Sequence, residues 1–217
     1  MSRASVLGLV AASALGGAAV WRALLRPAPE PVFEARSRPP QLAPICPWRD
    51  PQGDLPKLFP GASRWEVEAR VLSGLRPEVA ARLGRTPTAN ENVARVYRIY
   101  RGDEPAGEVM TTRVKGTYGA IELVVAADEG GRLKRVLVQR SREPETVTEA
   151  LRSSDWSRWL EGKRADSSWE CGDALAALKP EAHETARAMV EGVRSSLVLL
   201  SVSERAPPPT VAQSHSH

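Results

Sequence analysis

The amino-acid sequence predicts an α+β fold, in which helices near the carboxyl terminus pack on a twisted antiparallel sheet. Two observations lead to this class. From residue 64 to residue 140, short runs of alternating or continuous apolar residues are separated by turn residues, which is typical of strands. In the last third of the chain the apolar residues recur at helical spacing instead. Strands followed by helices indicate helices packed on one side of an antiparallel sheet.

Five strands are expected to follow one another as a meander. Residues 120–127, AIELVVAA, form a nearly continuous apolar run that is typical of a buried strand. The turn after this run contains Gly130 and Gly131, which can adopt the positive φ of a tight hairpin. The predicted strands cover residues 64–72, 93–102, 103–114, 120–127 and 132–140.

Helical segments are predicted before the second strand and after the last one. The first has Pro77 in its initial turn and Gly84 as its stop. The region after the sheet has Thr146 or Thr148 as its expected cap and Gly162 as its stop. Three tryptophans in and after this region are expected to belong to the core, namely Trp156, Trp159 and Trp169.

The clearest helix covers residues 179–200. Pro180 suits its first position, and Glu181 and Glu184 lie at the positive end of its dipole. Apolar residues three and four apart form one stripe, which predicts a face packed on the sheet. The stripe consists of Ala182, Ala186, Met189, Val190, Val193, Leu197 and Leu200.

Composition and motif content weigh against several classes of function. The net charge of +4 comes from arginines scattered among acidic residues, and no basic stripe is interleaved with aromatic residues, so nucleic-acid binding is not expected. Nucleophile-elbow and phosphate-loop motifs are absent from the sequence, which argues against a hydrolase. Cys46 and Cys171 make no metal motif. They could pair in an oxidising compartment and would be free thiols in a reducing one, and the interpretation as two unrelated thiols stays open.

Residues 1–26 are predicted to be a membrane anchor or a signal segment. No residue between Arg3 and Arg22 is charged and most are apolar. This stretch of 18 residues is just long enough for a membrane-spanning helix. Trp21 lies where an interfacial aromatic residue belongs. Three interpretations stay open: an uncleaved signal anchor, a cleaved secretory signal, and a soluble alanine-rich helix.

The rest of the chain divides into three parts. Residues 27–57 are rich in proline and lack periodicity, which predicts an extended, semi-rigid linker. Residues 58–203 contain all the predicted strands and helices and form the predicted folded domain. Residues 204–217 are predicted to be a disordered tail.

Several short motifs occur in a distinctive order within the folded domain. FPGA at Phe59–Ala62 comes first, KGTYGAIELVVAAD leads into the buried strand, and the return strand GRLKRVLV is followed by Arg142–Glu143. The segments WLEGK and GVRSSLVLL close the two helical regions. From Leu58 to Leu200 the chain thereby resembles the FMN-binding domain family, which includes flavin-carrying subunits of membrane redox complexes. The resemblance implies an α+β fold and electron transfer rather than a substrate-specific enzyme.

The flavin of that family usually hangs by a phosphoester from the threonine of a Ser-Gly-Ala-Thr motif at the start of the final helix. A helix start suits a phosphate, because free N–H groups and the positive dipole end point at it. Here the motif positions fall on residues 180–183, where only Ala182 matches the family and His183 takes the threonine position. Covalent flavin attachment is therefore not expected.

Two hypotheses about function follow from the resemblance. In the first, the domain is a membrane-associated electron-transfer module that holds FMN non-covalently; glycines allow close approach of the backbone, His183 contacts the phosphate or ring, and Arg187 neutralises the phosphate. In the second, the fold has lost its flavin and is a membrane-tethered interaction or scaffold module of a redox complex. The implied cofactor-binding residues are Gly116, Tyr118, Gly119, Glu143, Ala182, His183 and Arg187.

The resemblance also bears on location. Domains of this family mostly lie outside the cytoplasmic membrane, which implies a single-pass membrane protein with an extracytoplasmic, periplasmic body. In that compartment Cys46 and Cys171 could form a disulfide. The arginines that follow the apolar segment favour the opposite orientation by the positive-inside rule.

Overall fold

The computed structural model describes residues 48–205. The strands of this part form a sheet in which neighbouring strands are antiparallel and their spatial order follows their order along the chain. They are β1 (Arg64–Val71), β2 (Val93–Arg101), β3 (Glu104–Lys115), β4 (Ala120–Asp128) and β5 (Leu133–Ser141). The predicted antiparallel meander is thus confirmed, and β1 and β5 are the edge strands.

Helices precede β1, connect β1 to β2 and follow β5, so the α+β class is confirmed for the described residues. The α-helices are α1 (Leu55–Leu58), α2 (Arg76–Leu83), α3 (Glu145–Arg152), α4 (Ser154–Leu160), α5 (Gly172–Ala176) and α6 (His183–Ser203). Short 3₁₀ turns lie at Pro51–Asp54, Ser73–Leu75, Ala89–Asn92 and Pro180–Ala182.

Two predicted glycine positions determine chain reversals. Gly84 ends α2 in the left-handed conformation, with φ of 73°, and its N–H donates to the carbonyl of Ala80. Gly131 has φ of 71° in the turn from β4 to β5, and its N–H donates to the carbonyl of Asp128 at 3.0 Å. A side chain is disfavoured at such φ, so glycine is the residue that these turns need.

The region after the sheet differs from its prediction at the helix starts. Helix α3 begins at Glu145, so Thr146 and Thr148 lie inside the helix instead of capping it. Pro144 is the N-cap residue, and its fixed φ suits the entry into a helix. A break at Ser153 separates α3 from α4, and the Ser153 side chain accepts a hydrogen bond from the Trp156 N–H.

One face of the sheet is covered chiefly by α6. The predicted apolar stripe of this helix is buried along its whole length. At Gly192 an added Cβ would lie 2.2 Å from Val114 Cγ1, so only glycine allows this approach of helix and strand. Trp156 belongs to the same core and stacks on Trp159 with ring centroids 5.4 Å apart.

The opposite face of the sheet is covered by the segment that precedes β1. Leu55, Leu58 and Phe59 are buried there and pack with Tyr97 and Ile99 of β2. The linker predicted for residues 27–57 therefore ends earlier, because residues 51–57 form a 3₁₀ turn and most of α1 on the sheet. Burial of this sheet face requires apolar side chains that the α6 side cannot supply.

A buried ion cluster joins this segment to the sheet. Glu122 on β4 is 0% exposed, and its Oε2 accepts hydrogen bonds from Arg140 Nη2 at 2.7 Å and from Arg113 Nε and Nη2 at 3.2 Å each. Its Oε1 accepts the backbone N–H of Arg49 at 2.8 Å. The Trp48 ring lies 3.9 Å from the Arg113 guanidinium carbon. One carboxylate thus connects three strands and the incoming chain.

Some predictions fall on residues outside the described part of the chain. These are the anchor or signal segment at 1–26, most of the linker, and the tail beyond residue 205. Within residues 48–205, none of the helices has the length and apolarity needed to cross a bilayer. Cys171 has a free, half-buried thiol, and Cys46, with which it could pair, lies outside the described residues.

Candidate functional site

The turn between β3 and β4 contains three of the predicted site residues and lies beside the start of α6. A hydrogen bond of 2.8 Å from the Gly116 N–H to the Gly119 carbonyl closes the turn. The N–H of Thr117 donates to Thr185 Oγ1 at 3.2 Å, and the two threonine hydroxyls lie 3.1 Å apart. Thr185, which is 0% exposed, therefore connects the turn to the first turn of α6.

The carboxylate of Glu143 is the centre of this site. Its Oε1 accepts the backbone N–H groups of Tyr118 at 2.9 Å and Gly119 at 3.0 Å. Its Oε2 accepts the hydroxyl of Thr185 at 2.9 Å. The residue is 8% exposed, so these three donors replace most of the water that a carboxylate would otherwise bind.

Close packing explains both glycines of the turn. A Cβ at Gly116 would lie 2.4 Å from Glu143 Oε1 and 3.1 Å from Thr185 Cγ2. A Cβ at Gly119 would lie 2.6 Å from the Cβ of Arg142. The glycines thus leave room for the chain's own side chains, in the place where the resemblance implies a flavin.

We expect Gly116→Ala to lower the free energy of unfolding by about 1–3 kcal/mol, because the added methyl group would overlap the Glu143 carboxylate. The matched control is Gly74→Ala, at a position where a Cβ meets nothing within 4 Å. Chemical denaturation of both variants measures the difference. Equal stabilities would contradict the close contact between Gly116 and the Glu143 carboxylate.

The ring of Tyr118 and three other predicted residues do not join this cluster. Tyr118 is 63% exposed and its ring has no stacking partner among the described residues. His183 is half-buried, and its Nε2 lies 3.0 Å from the carbonyl of Leu178. Arg187 is exposed, and Ala182 is buried in the core with the α6 stripe. The structure thus brings together the two glycines, Glu143 and the backbone N–H of Tyr118, and leaves the Tyr118 ring and the other three predicted residues outside.

Thr185 belongs to this site but not to the predicted set of site residues, because its position round the helix makes it a poor substitute for the motif threonine. It follows the degenerate motif by two residues, which places it on a different side of the helix from His183. The signal in the sequence that could have indicated a role for Thr185 is a polar side chain directly before Ala186, a residue of the apolar stripe. A buried hydroxyl needs a hydrogen-bond partner, and the carboxylate of Glu143 provides it.

The site does not fit a flavin phosphate. The backbone donors of the turn already bind a carboxylate, and a second acidic side chain, Glu184, has its Oε2 3.5 Å from the hydroxyl of Thr117. Negative charge next to the turn would repel a phosphate dianion. The arrangement is that of a filled anion site, in which the protein supplies both the donors and the anion.

Metal ligands are also sparse in this part of the molecule. Within residues 48–205 there is no group of three or more His, Cys, Asp or Glu side chains arranged to hold a metal ion. His183 is the single histidine of that range, and its ring faces a backbone carbonyl.

Comparison with known proteins leaves the family open. No protein-family model matches this chain, and a search among curated proteins finds no significant match.

Proposed function

We propose that this protein is a membrane-tethered interaction or scaffold module of a redox complex, built on a fold of the FMN-binding kind that no longer holds flavin. The sheet, the turn glycines and the long final helix are the elements on which the resemblance rests. The module positions other proteins and carries out no chemistry on a substrate of its own.

One observation supports the flavin-free form over the flavin-binding one. The carboxylate of Glu143 already accepts both free amides of the 116–119 turn and the hydroxyl of Thr185. A phosphate that used these donors would have to displace this carboxylate, which then would be a buried charge without its donors. Such a loss costs several kcal/mol, on the order of the energy that a phosphate contact returns.

The membrane part of the proposal rests on the sequence. Residues 4–21 carry no charge and end in an aromatic residue, as a membrane anchor does at the lipid interface. The proline-rich stretch that follows would hold the domain away from the bilayer. In line with the family, the domain is assigned to the extracytoplasmic side.

The test is a measurement of flavin content and flavin affinity. The full-length chain is purified, its visible absorption spectrum is recorded before and after acid precipitation, and FMN is then titrated while flavin fluorescence is followed. We expect a colourless protein that leaves the fluorescence of micromolar FMN unchanged. Riboflavin, which lacks the phosphate, is the matched ligand control.

Three results would overturn the flavin-free form. A flavin band that moves to the supernatant on acid treatment would establish non-covalent FMN. A band that stays with the pellet would establish covalent attachment, with Thr185 as the nearest buried hydroxyl to the predicted motif. Binding of FMN without binding of riboflavin would locate a phosphate site that the geometry argues against.

A further inference from the structure

A groove of about 710 Å³ follows the outer edge of β5. Residues 135–139 form its floor, side chains of α3, α4 and the break between them form one wall, and residues of the segment before β1 form the other. Its volume lies within the range of ligand-binding clefts. The groove is separate from the 116–119 turn, because the two share no lining residue.

The floor of the groove offers backbone groups for pairing. No strand of the described residues lies beyond β5. Arg152 Nη2 donates to the carbonyl of Val138 at 3.2 Å, so this carbonyl faces the groove. In an antiparallel strand the N–H and C=O of one residue point to the same side, and the direction repeats every second residue. The N–H of Val138 and both groups of Val136 therefore face the groove as well.

The groove is strongly basic. Five basic side chains and two acidic ones line it, which leaves a net charge of +3. The basic residues come from both walls and from the floor, so the positive charge surrounds the strand edge. They are Arg49, Lys57, Arg135, Arg152 and Arg158, against Asp54 and Glu161.

The acidic neighbours hold two of these cations only loosely. Arg135 Nε lies 3.9 Å from Glu161 Oε1, and Arg152 Nη1 lies 3.8 Å from Glu145 Oε1, which is too long for a hydrogen bond. Exposed ion pairs of this kind contribute little to stability. The Arg135 guanidinium can therefore turn towards a carboxylate of a bound molecule at small cost, whereas the Arg152 guanidinium must also release the Val138 carbonyl to the peptide.

We propose that this groove binds an acidic, extended peptide segment of a partner protein, which pairs with β5 as a sixth strand. Main-chain hydrogen bonds to Val136 and Val138 would fix the direction of the peptide, as in other strand additions. Side chains of a strand alternate between its two faces, and both walls are basic, so carboxylates on either face of the peptide would meet positive charge. The proposal names the partner class of the interaction module and in this respect rests on the proposed function.

The probe is a fluorescent synthetic peptide of alternating glutamate and valine. Its binding to the full-length chain is followed by fluorescence anisotropy, and the protection of the Val136 and Val138 amides by hydrogen exchange. Two control peptides separate the effect of charge from that of strand pairing. One carries lysine in place of glutamate. The other carries proline in place of valine, because proline has no backbone N–H to donate.

We expect the glutamate–valine peptide to bind and to protect both amides, and both control peptides to bind at least about tenfold more weakly. Arg135→Glu combined with Arg158→Glu should weaken binding about tenfold, since charge complementarity across the groove is reversed. Lys179→Glu, at an exposed lysine that does not line the groove, is the matched control and should leave binding unchanged.

Three outcomes would overturn the proposal: no binding of the acidic peptide, equal binding of the proline peptide, or binding without protection of β5. The flavin spectrum of the same sample keeps this test apart from the one above. A colourless protein that does not bind the peptide contradicts only the groove assignment. A flavin-containing protein that binds the peptide contradicts only the flavin-free function.

Discussion

Glu122→Gln should lower the free energy of unfolding by about 3 kcal/mol, because it removes the negative charge from a buried ion pair. The glutamine keeps the shape of the side chain and removes its negative charge. Arg113 and Arg140 then face each other across β4 without the carboxylate that lies between them. Their side chains are 22% and 30% exposed, which sets the loss at the lower end of the range for buried pairs.

The same replacement should loosen the segment before β1. The N–H of Arg49 donates to Glu122 Oε1, and this bond fixes the chain where it enters the domain. Next to it, Leu55 and Leu58 depend on that position to cover the sheet. We therefore expect proteases to cleave near residues 48–54 faster in the variant than in the original protein.

Urea denaturation and limited proteolysis together measure both effects. The control is Glu129→Gln, which removes a carboxylate from the exposed turn at the end of the same strand. It should change the stability by less than about 0.5 kcal/mol. If Glu122→Gln behaves like this control, the buried cluster contributes nothing to the fold and the account given above is wrong.

Glu143→Ala should also lower the free energy of unfolding by about 3 kcal/mol, since unsatisfied buried donors cost about 1–3 kcal/mol each and their costs partly overlap. The donors that lose their acceptor are the amides of Tyr118 and Gly119 and the hydroxyl of Thr185. Glu145→Ala is the control, because this neighbouring side chain is 73% exposed.

The truncated side chain should also leave a usable anion site. Two backbone N–H groups and a hydroxyl that point at one space are the donors that bind small anions. We expect acetate or inorganic phosphate to raise the melting temperature of Glu143→Ala more than that of the original protein, as ligand linkage requires. Equal effects of the anions on both proteins would contradict the interpretation of Glu143 as an internal anion.

Much of the sheet and its final helix follows from local sequence. Gly84 and Gly131 have the positive φ that their turns require, and glycine in the sequence marks these positions. The buried apolar residues of α6 recur at the spacing of a helix. The hairpin of β4 and β5 joins residues that are near in sequence. Such signals act over a few residues, so a sequence carries them without knowledge of the rest of the fold.

The candidate site around Glu143 could be predicted from the sequence only in part. Gly116, Gly119 and Glu143 were predicted to share one site, and they do lie together. The reason is that the Glu143 carboxylate accepts the N–H of Gly119, 24 residues away, and the hydroxyl of Thr185, 42 residues away. No local pattern distinguishes a carboxylate that meets a ligand from one that replaces it, because both need the same donors.

The sequence by itself determined the α+β class, the meander of strands, the turn glycines and the buried face of the last helix, because these depend on periodicity and on φ. Only the tertiary structure decided that Glu143 fills its own anion site, that Glu122 holds the segment before β1, and that basic residues from three regions line one strand edge. These features depend on distances between residues far apart in the chain, and such distances exist only after folding.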